Sequence, residues 1–300
     1  MVSAGFSGSH VAIVTPMRPG GEIDREAWSR LVDFHLGNGT AGIVVGGTTG
    51  ESPTISDAEL RELVQRAQAQ ARGRLKIIAG AGTNCTAGTV DLVREMSALG
   101  VDGVLLVTPA YNRPTQEGLY RHYEAAAAAS KVPVILYNVP SRTAVDMLPE
   151  TVARLAVLPR VVAIKEAVAS MDRIRELRAI CPSSFEILSG DDATVRAAMQ
   201  LGCSGVISVT ANVAPALMSA MIAAAGRGDH AEAARIDAKL AALHDRLFVE
   251  TNPIPVKWAL ARMGLIDGAL RLPLTDLSAR YHQDVAAALR QADITLAAAA

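Results

Sequence analysis

The chain has 300 residues, half of them hydrophobic, with 29 basic and 30 acidic side chains and a formal net charge of −1. So large an apolar fraction supplies an extensive core and argues against disorder, and the length suits one large domain or two small ones. The balanced, intermixed charge leaves no electrostatic footprint for nucleic acid or an anionic membrane.

The opening MVSAGFSGSHVAIVTPM has no basic segment ahead of an apolar one, so no secretory leader is expected. No apolar run approaches the ~18 residues of a membrane-spanning helix. Cys85, Cys181 and Cys203, odd in number and widely spaced, read as buried thiols of a reducing compartment. A cytoplasmic protein with no membrane partner is therefore expected.

Short Val/Ile-rich runs then recur along the chain. They are HVAIVTP (10–16), GIVVGG (42–47), KIIAGA (76–81), GVLLVTP (103–109), VPVILYNVP (132–140), VVAIKEA (161–167), FEILSG (185–190) and GVISVT (205–210). Their spacing, roughly 20 to 35 residues, is that of a strand followed by a helix. DAELRELVQRAQAQA (57–71) puts Leu60, Leu63, Val64 and Ala67 on one helical face. The alanines of EGLYRHYEAAAAAS (117–130) favour helix by propensity.

Continuous apolar runs are what parallel strands covered on both faces look like. Eight such units within about 210 residues predict an α/β fold, a (β/α)8 TIM barrel with its core at 8–211. An open doubly wound sheet would show a glycine-rich nucleotide turn after its first strand, and TPMRPGGEID has no such fingerprint. Beyond about Asn212, VAPALMSAMIAAA, DHAEAARIDAKLAALHDRLF and the segment opened by NPIPVKWALARMG lack interleaved strands. They predict additional C-terminal helices, a 212–292 extension packed on the barrel, and the end LAAAA reads as a fraying terminus.

In a barrel of this kind ligands bind at the carboxyl ends of the strands, and that rule separates the lysines. Lys76 opens a strand, Lys131 precedes one, and Lys239 belongs on the solvated face of a helix. Lys257 follows a proline pair at a helix start, where a structural role is the default. Only Lys165 closes a strand. Alternation puts Val161, Ala163 and Lys165 on one face, so if that face fills the barrel the amine points into its mouth. The alternative is a lysine snorkelling outward between helices. A desolvated amine sheds its proton more readily, attacks a ketone and forms an imine that acts as an electron sink.

Other polar groups belong to the same strand ends. In GGTTGESPTISDAEL (46–60) three glycines allow a tight turn, and Thr48 and Thr49 offer hydroxyls and amides that form a nest for a carboxylate. No GK[ST] follows, so this is not a P-loop, and an ordinary turn is the alternative. Ser56 and Glu59 form a capping box for the next helix. In YNVPSRT (137–143) Tyr137 shares a layer with Lys165 and can relay protons, and Arg142 suits bidentate carboxylate recognition. Singly, a buried structural tyrosine and a surface arginine explain both.

Tyr111, Asn112 and Arg113 stand on a proline-bounded loop, and SGDD (189–192) adds Gly190 and two carboxylates best read as helix caps. The six histidines show no metal-ligand spacing, so no metal is expected.

With VAIVTPM, GTTGES, TPAYNRPTQEGLY, LYNVPSRT, IKEA, LSGDD, GVISVTANVAP, FVETNPIPVKWA and LRLPLT identified, the chain resembles the dihydrodipicolinate synthases of the pyruvate-dependent aldolase superfamily, from about Gly8 to Leu289. The resemblance implies that Lys165 forms a Schiff base with pyruvate. Tyr137 would shuttle protons, linked through Thr48 to Tyr111, which in the family reaches a neighbouring subunit's active site. Thr49, with Thr48, would hold the pyruvate carboxylate, Arg142 the carboxylate of aspartate 4-semialdehyde, and Gly190 and Ile207 would line the pocket. A homotetramer built as a dimer of dimers, a place in lysine biosynthesis and no cofactor are also implied, since the imine itself accepts the electrons.

One departure stands out: family members commonly carry two adjacent aromatics where this chain has Ala110-Tyr111. Lysine-inhibited relatives also carry histidine and acidic side chains where this chain has Leu60 and Gly88, although Asn84 remains. Weak or absent inhibition by lysine is expected. Two alternatives are a lyase for N-acetylneuraminate or 2-keto-3-deoxy sugar acids and a barrel that only binds a keto acid. Arg142 argues against the first, and the retained lysine, tyrosines and threonine against the second.

Overall fold

The computed structural model describes residues 5–297. The first four residues, and most of the alanine-rich end read as fraying, lie outside the described residues.

Among the described residues, eight strands close in sequence order into a barrel. They are β1 (Gly8–Ala12), β2 (Gly42–Val45), β3 (Lys76–Gly80), β4 (Gly103–Val107), β5 (Val134–Asn138), β6 (Val161–Glu166), β7 (Glu186–Ser189) and β8 (Gly205–Ser208). The helices are α1 (Arg25–Gly37), α2 (Asp57–Ala71), α3 (Thr86–Ala98), α4 (Gln116–Ala129), α5 (Pro140–Thr143), α6 (Pro149–Leu155), α7 (Met171–Ile180), α8 (Val195–Gln200), α9 (Pro215–Gly226), α10 (His230–Arg246), α11 (Ile254–Arg262) and α12 (His282–Gln291).

Each apolar run matches one strand, and each strand ends before its run does; β1 begins ahead of its run, at Gly8. Proline explains two of these early ends: β4 stops ahead of Thr108-Pro109 and β5 ahead of Val139-Pro140, because proline brings no N–H to the ladder.

The described residues divide into two compact units, 5–8 with Lys76–Ile207, and Ser9–Leu75 with 208–297. In the first, β3 to β7 pair in parallel, with Val104 opposite Val134 and Tyr137 opposite Lys165. Val104, Leu106, Val134 to Leu136, Ala163, Ile164, Ile187 and Leu188 are wholly buried, as strands covered on both faces require. Thr115 caps α4 by accepting from the Gly118 N–H, and Leu119, Tyr123 and Ala126 form its buried face. Gly205, opening β8, is close to bare backbone: a Cβ there would lie 2.1 Å from the Gly8 carbonyl oxygen. The Gly8 N–H donates to the Ser204 carbonyl at 3.0 Å beside it.

In the second unit β1 pairs with β2, His10 opposite Gly42. The helix α2 spans the range its periodicity predicts and begins with the Ser56–Glu59 capping box. After β8 the described elements are all helical, with α9 packed on α10 and both α10 and α11 on α12. Met218, Met221, Leu240, Leu243, Leu260 and Leu289 fill these contacts without solvent exposure, and each such side chain contributes about 1.5–3 kcal/mol by burial.

All three cysteines are free thiols, but only Cys181 and Cys203 are buried. Cys85 is exposed, because it is the N-cap residue of α3 and lies outside the helix's packed face.

Candidate active site

In the first unit the carboxyl ends of β5, β6 and β7 converge on Lys165. Strand alternation turns Lys165 and Glu166 to opposite faces. Lys165 is only 5% exposed. Its cross-strand partner is Tyr137, 6% exposed, whose ring centroid lies 4.3 Å from the lysine Nζ. The amine therefore rests on an aromatic face instead of snorkelling to solvent.

Gly190, the first residue past β7, donates its N–H to the Glu166 carbonyl at 2.7 Å. A Cβ at that position would lie 2.9 Å from the Ala167 Cβ and 3.1 Å from the Lys165 Cε, so the bare backbone gives the lysine stem its room. Ile207, near the end of β8, is 1% exposed. Arg142 lies in the last turn of the short helix α5 and is exposed. Tyr111 is 91% exposed at φ 72°, apart from the buried Lys165–Tyr137 contact. Asp191 accepts from the Thr194 N–H and hydroxyl, both at 2.9 Å, and so closes the turn ahead of α8; Thr194 is the N-cap residue of that helix and no side chain caps it, so the capping role expected of SGDD is not met there.

The opposite face of β6 holds a network to which the sequence reading gave no role. Glu166 accepts from the Val168 N–H at 2.8 Å, from Asn138 Nδ2 at 3.1 Å and from Arg173 Nη1 at 3.4 Å. Arg173 also grips Asp146 at 2.6 and 3.0 Å and the Met147 carbonyl at 3.2 Å. Asn138 Oδ1 accepts from the Met147 N–H at 3.0 Å. Together these bonds tie the Asp146–Met147 end of the segment that follows β5, which carries Arg142, to the strand ends beside Lys165.

Burial pushes the Glu166 carboxyl up to about 7, against its hydrogen bonds and Arg173. Burial also acts upward on Asp146, but Arg173 and Asn138 outweigh it and hold that carboxyl below its ordinary value. An acid whose folded pKa is raised binds more protons when folded, so its contribution to stability falls as pH rises between about 4.5 and 7. Glu166→Gln, which cannot ionise, is expected to lose that dependence. Thermal melts should show the variant gaining on the native protein across this window and holding a constant difference above it. A constant difference throughout would remove Glu166 as the titrating group.

The second unit holds Thr48 and Thr49 in the turn after β2. Thr49 is 2% exposed, and its Oγ1 accepts from Asn252 Nδ2 at 3.0 Å. The amides of Gly50 and Ser52 donate to the Gly47 carbonyl and that of Glu51 to the Thr48 carbonyl, so these three are committed inside the turn. The carboxylate nest read from the sequence is narrower by that much. Thr15 Oγ1 donates to the Gly50 carbonyl at 2.8 Å.

Glu51 takes a left-handed backbone conformation and accepts from Lys257 Nζ at 2.5 Å, with both side chains fully buried. Its other oxygen accepts from the Arg271 N–H at 3.1 Å, and the Arg271 guanidinium pairs with Glu59. Burial pulls the Lys257 amine below its ordinary value, and Glu51 works against that. Lys257, structural by default in the sequence, thus bears on the turn that carries the threonines.

Among the described residues no cluster of three His, Cys, Asp or Glu side chains could hold a metal ion, and no helix is long and apolar enough to cross a membrane.

Residues 5–292 match the model of the dihydrodipicolinate synthetase family. A 4-hydroxy-tetrahydrodipicolinate synthase of Methylococcus capsulatus is 53% identical, over 96% of this chain and 99% of that one. The crystal structure of a chloride-inhibited dihydrodipicolinate synthase from Acinetobacter baumannii, complexed with pyruvate, superposes with a TM-score of 0.95 at 46% identity, covering 97% of this chain and 100% of the other. A structure described as the first monomeric dihydrodipicolinate synthase variant has a TM-score of 0.94 at 44% identity, covering 97% and 98%.

Proposed function

The chain belongs to the dihydrodipicolinate synthetase family, and from that premise we propose that it condenses pyruvate with aspartate 4-semialdehyde through an imine on Lys165, in lysine biosynthesis. The observation that carries this reading is a lysine closing β6, 5% exposed, with its Nζ over the Tyr137 ring.

The chemistry follows from that placement. The neutral amine adds to the C2 carbonyl of pyruvate and water leaves, giving the imine. Once protonated, the imine withdraws electrons and the adjacent methyl group releases a proton. The resulting enamine carbon attacks the aldehyde carbon of the semialdehyde, and its oxygen takes up a proton to become a hydroxyl. The semialdehyde's own amine then displaces Lys165, closing the ring and freeing the enzyme. Tyr137, in contact with the lysine side chain, shuttles the protons, and Arg142 takes the semialdehyde carboxylate. The proposal gives Thr48 a part in the proton relay, Thr49 the pyruvate carboxylate, and Gly190 and Ile207 the pocket wall.

Borohydride reduction in the presence of pyruvate should add the mass of reduced pyruvate to the peptide containing Lys165. Turnover with aspartate 4-semialdehyde should far exceed that with sugar-acid aldehydes. An adduct on another lysine, or a preference for the sugar acids, would defeat the proposal.

Self-association as a homotetramer, a dimer of dimers with Tyr111 entering the neighbouring subunit, belongs to the same reading. A tyrosine ring 91% exposed in the single chain supports it, and sedimentation showing an active monomer counts against it. Weak feedback by lysine is proposed as well. Leu60 is an apolar side chain buried against Gly46, and Gly88 brings no side chain at all. Half-inhibition should need lysine above the millimolar range, and a submillimolar value would refute this.

A further inference from the structure

Burial of an ion pair seldom adds net stability, and the Glu51–Lys257 pair is fully buried on both sides. Its setting is also unfavourable in two other ways. Lys257 occupies the first turn of α11, where the helix dipole disfavours a cation. Glu51 holds φ 59°, a conformation that residues with a side chain rarely adopt. The second cost falls on the turn that carries Thr48 and Thr49, and the first on the helix whose lysine grips it.

That turn is fastened at successive residues by distant parts of the chain. Asn252 donates to Thr49 Oγ1, Thr15 to the Gly50 carbonyl, and Lys257 and the Arg271 N–H to the Glu51 carboxylate. Because Thr49 Oγ1 already accepts from Asn252, its own proton points away from that amide and is available to a carboxylate oxygen.

Resting on the imine reading above, we propose that Glu51, Lys257 and Asn252 are positioning residues for the keto-acid carboxylate. They hold the turn so that the Thr48 and Thr49 hydroxyls keep one orientation, and they touch neither substrate.

The test is the double variant Glu51→Gln/Lys257→Met, which removes both buried charges together and leaves none unpaired. The variant is expected to melt within a few degrees of the native protein. Its KM for pyruvate should rise about ten- to a hundred-fold, the range a small misplacement of a binding group produces. Half-saturation of borohydride trapping by pyruvate should rise by the same factor, while KM for aspartate 4-semialdehyde changes less than about twofold.

A folded double variant with native half-saturation for pyruvate overturns the proposal, as does an equal rise in both KM values. If the double variant does not fold, Asn252→Ala carries the same measurement, and an unchanged pyruvate half-saturation there is equally fatal. Failure of the native protein to form the Lys165 adduct defeats the imine reading itself. A native adduct together with unshifted variants defeats only the positioning role.

Discussion

Lys165→Ala is expected to lower kcat by about four orders of magnitude or more and to abolish borohydride trapping with pyruvate. The size follows from the kind of step removed. Without the amine there is no imine, no electron sink and no route to the enamine at neutral pH, and only binding and orientation remain. Lys165→Arg separates the covalent role from a packing role. A guanidinium preserves charge and approximate length but forms no imine under these conditions, so that variant should fold and be equally inactive. Either variant retaining substantial turnover would exclude covalent catalysis at this position.

Lys257→Met is expected to destabilise the protein by about 3–5 kcal/mol, the cost of leaving one buried charge without its partner. For a chain of this size that corresponds to a fall in melting temperature on the order of 10 °C. The stranded group would be Glu51, whose carboxylate is sealed from solvent and would keep only the Arg271 N–H. Adding Glu51→Gln to the same chain should recover most of the loss, because a neutral amide is far cheaper to bury than a carboxylate. The two single changes and the double therefore form a cycle whose coupling measures the pair directly. Additive effects would mean that the two charges do not depend on each other.

The barrel was legible in the sequence because its strands are covered on both faces and so read as unbroken apolar runs. The limits of α2 were legible for a local reason: Ser56 and Glu59 satisfy the helix's own first amides. Lys165 was legible as the one lysine closing such a run. Strand ends were less so, because residues such as Ile13 stay buried and even donate across to Val44 after the regular ladder stops. Cys85 was read as buried from residue type alone, which says nothing of its place at a helix start. Glu166 lay within the IKEA motif, and its alternation away from Lys165 was the available signal. The Glu51–Lys257 pair was not legible. Its members stand roughly 200 positions apart, and each has an ordinary local explanation. Long-range pairing of this kind is written in the fold and not in any window of the sequence.

The meeting of Gly8 with Ser204 and Gly205 sets an order of events on the ribosome. Gly8 emerges long before its acceptor, which is translated roughly 200 residues later, so closing this loop carries an entropic penalty that earlier contacts must already outweigh. Nascent chains halted short of Ser204 should leave their leading segment open to protease, and release past Gly205 should protect it.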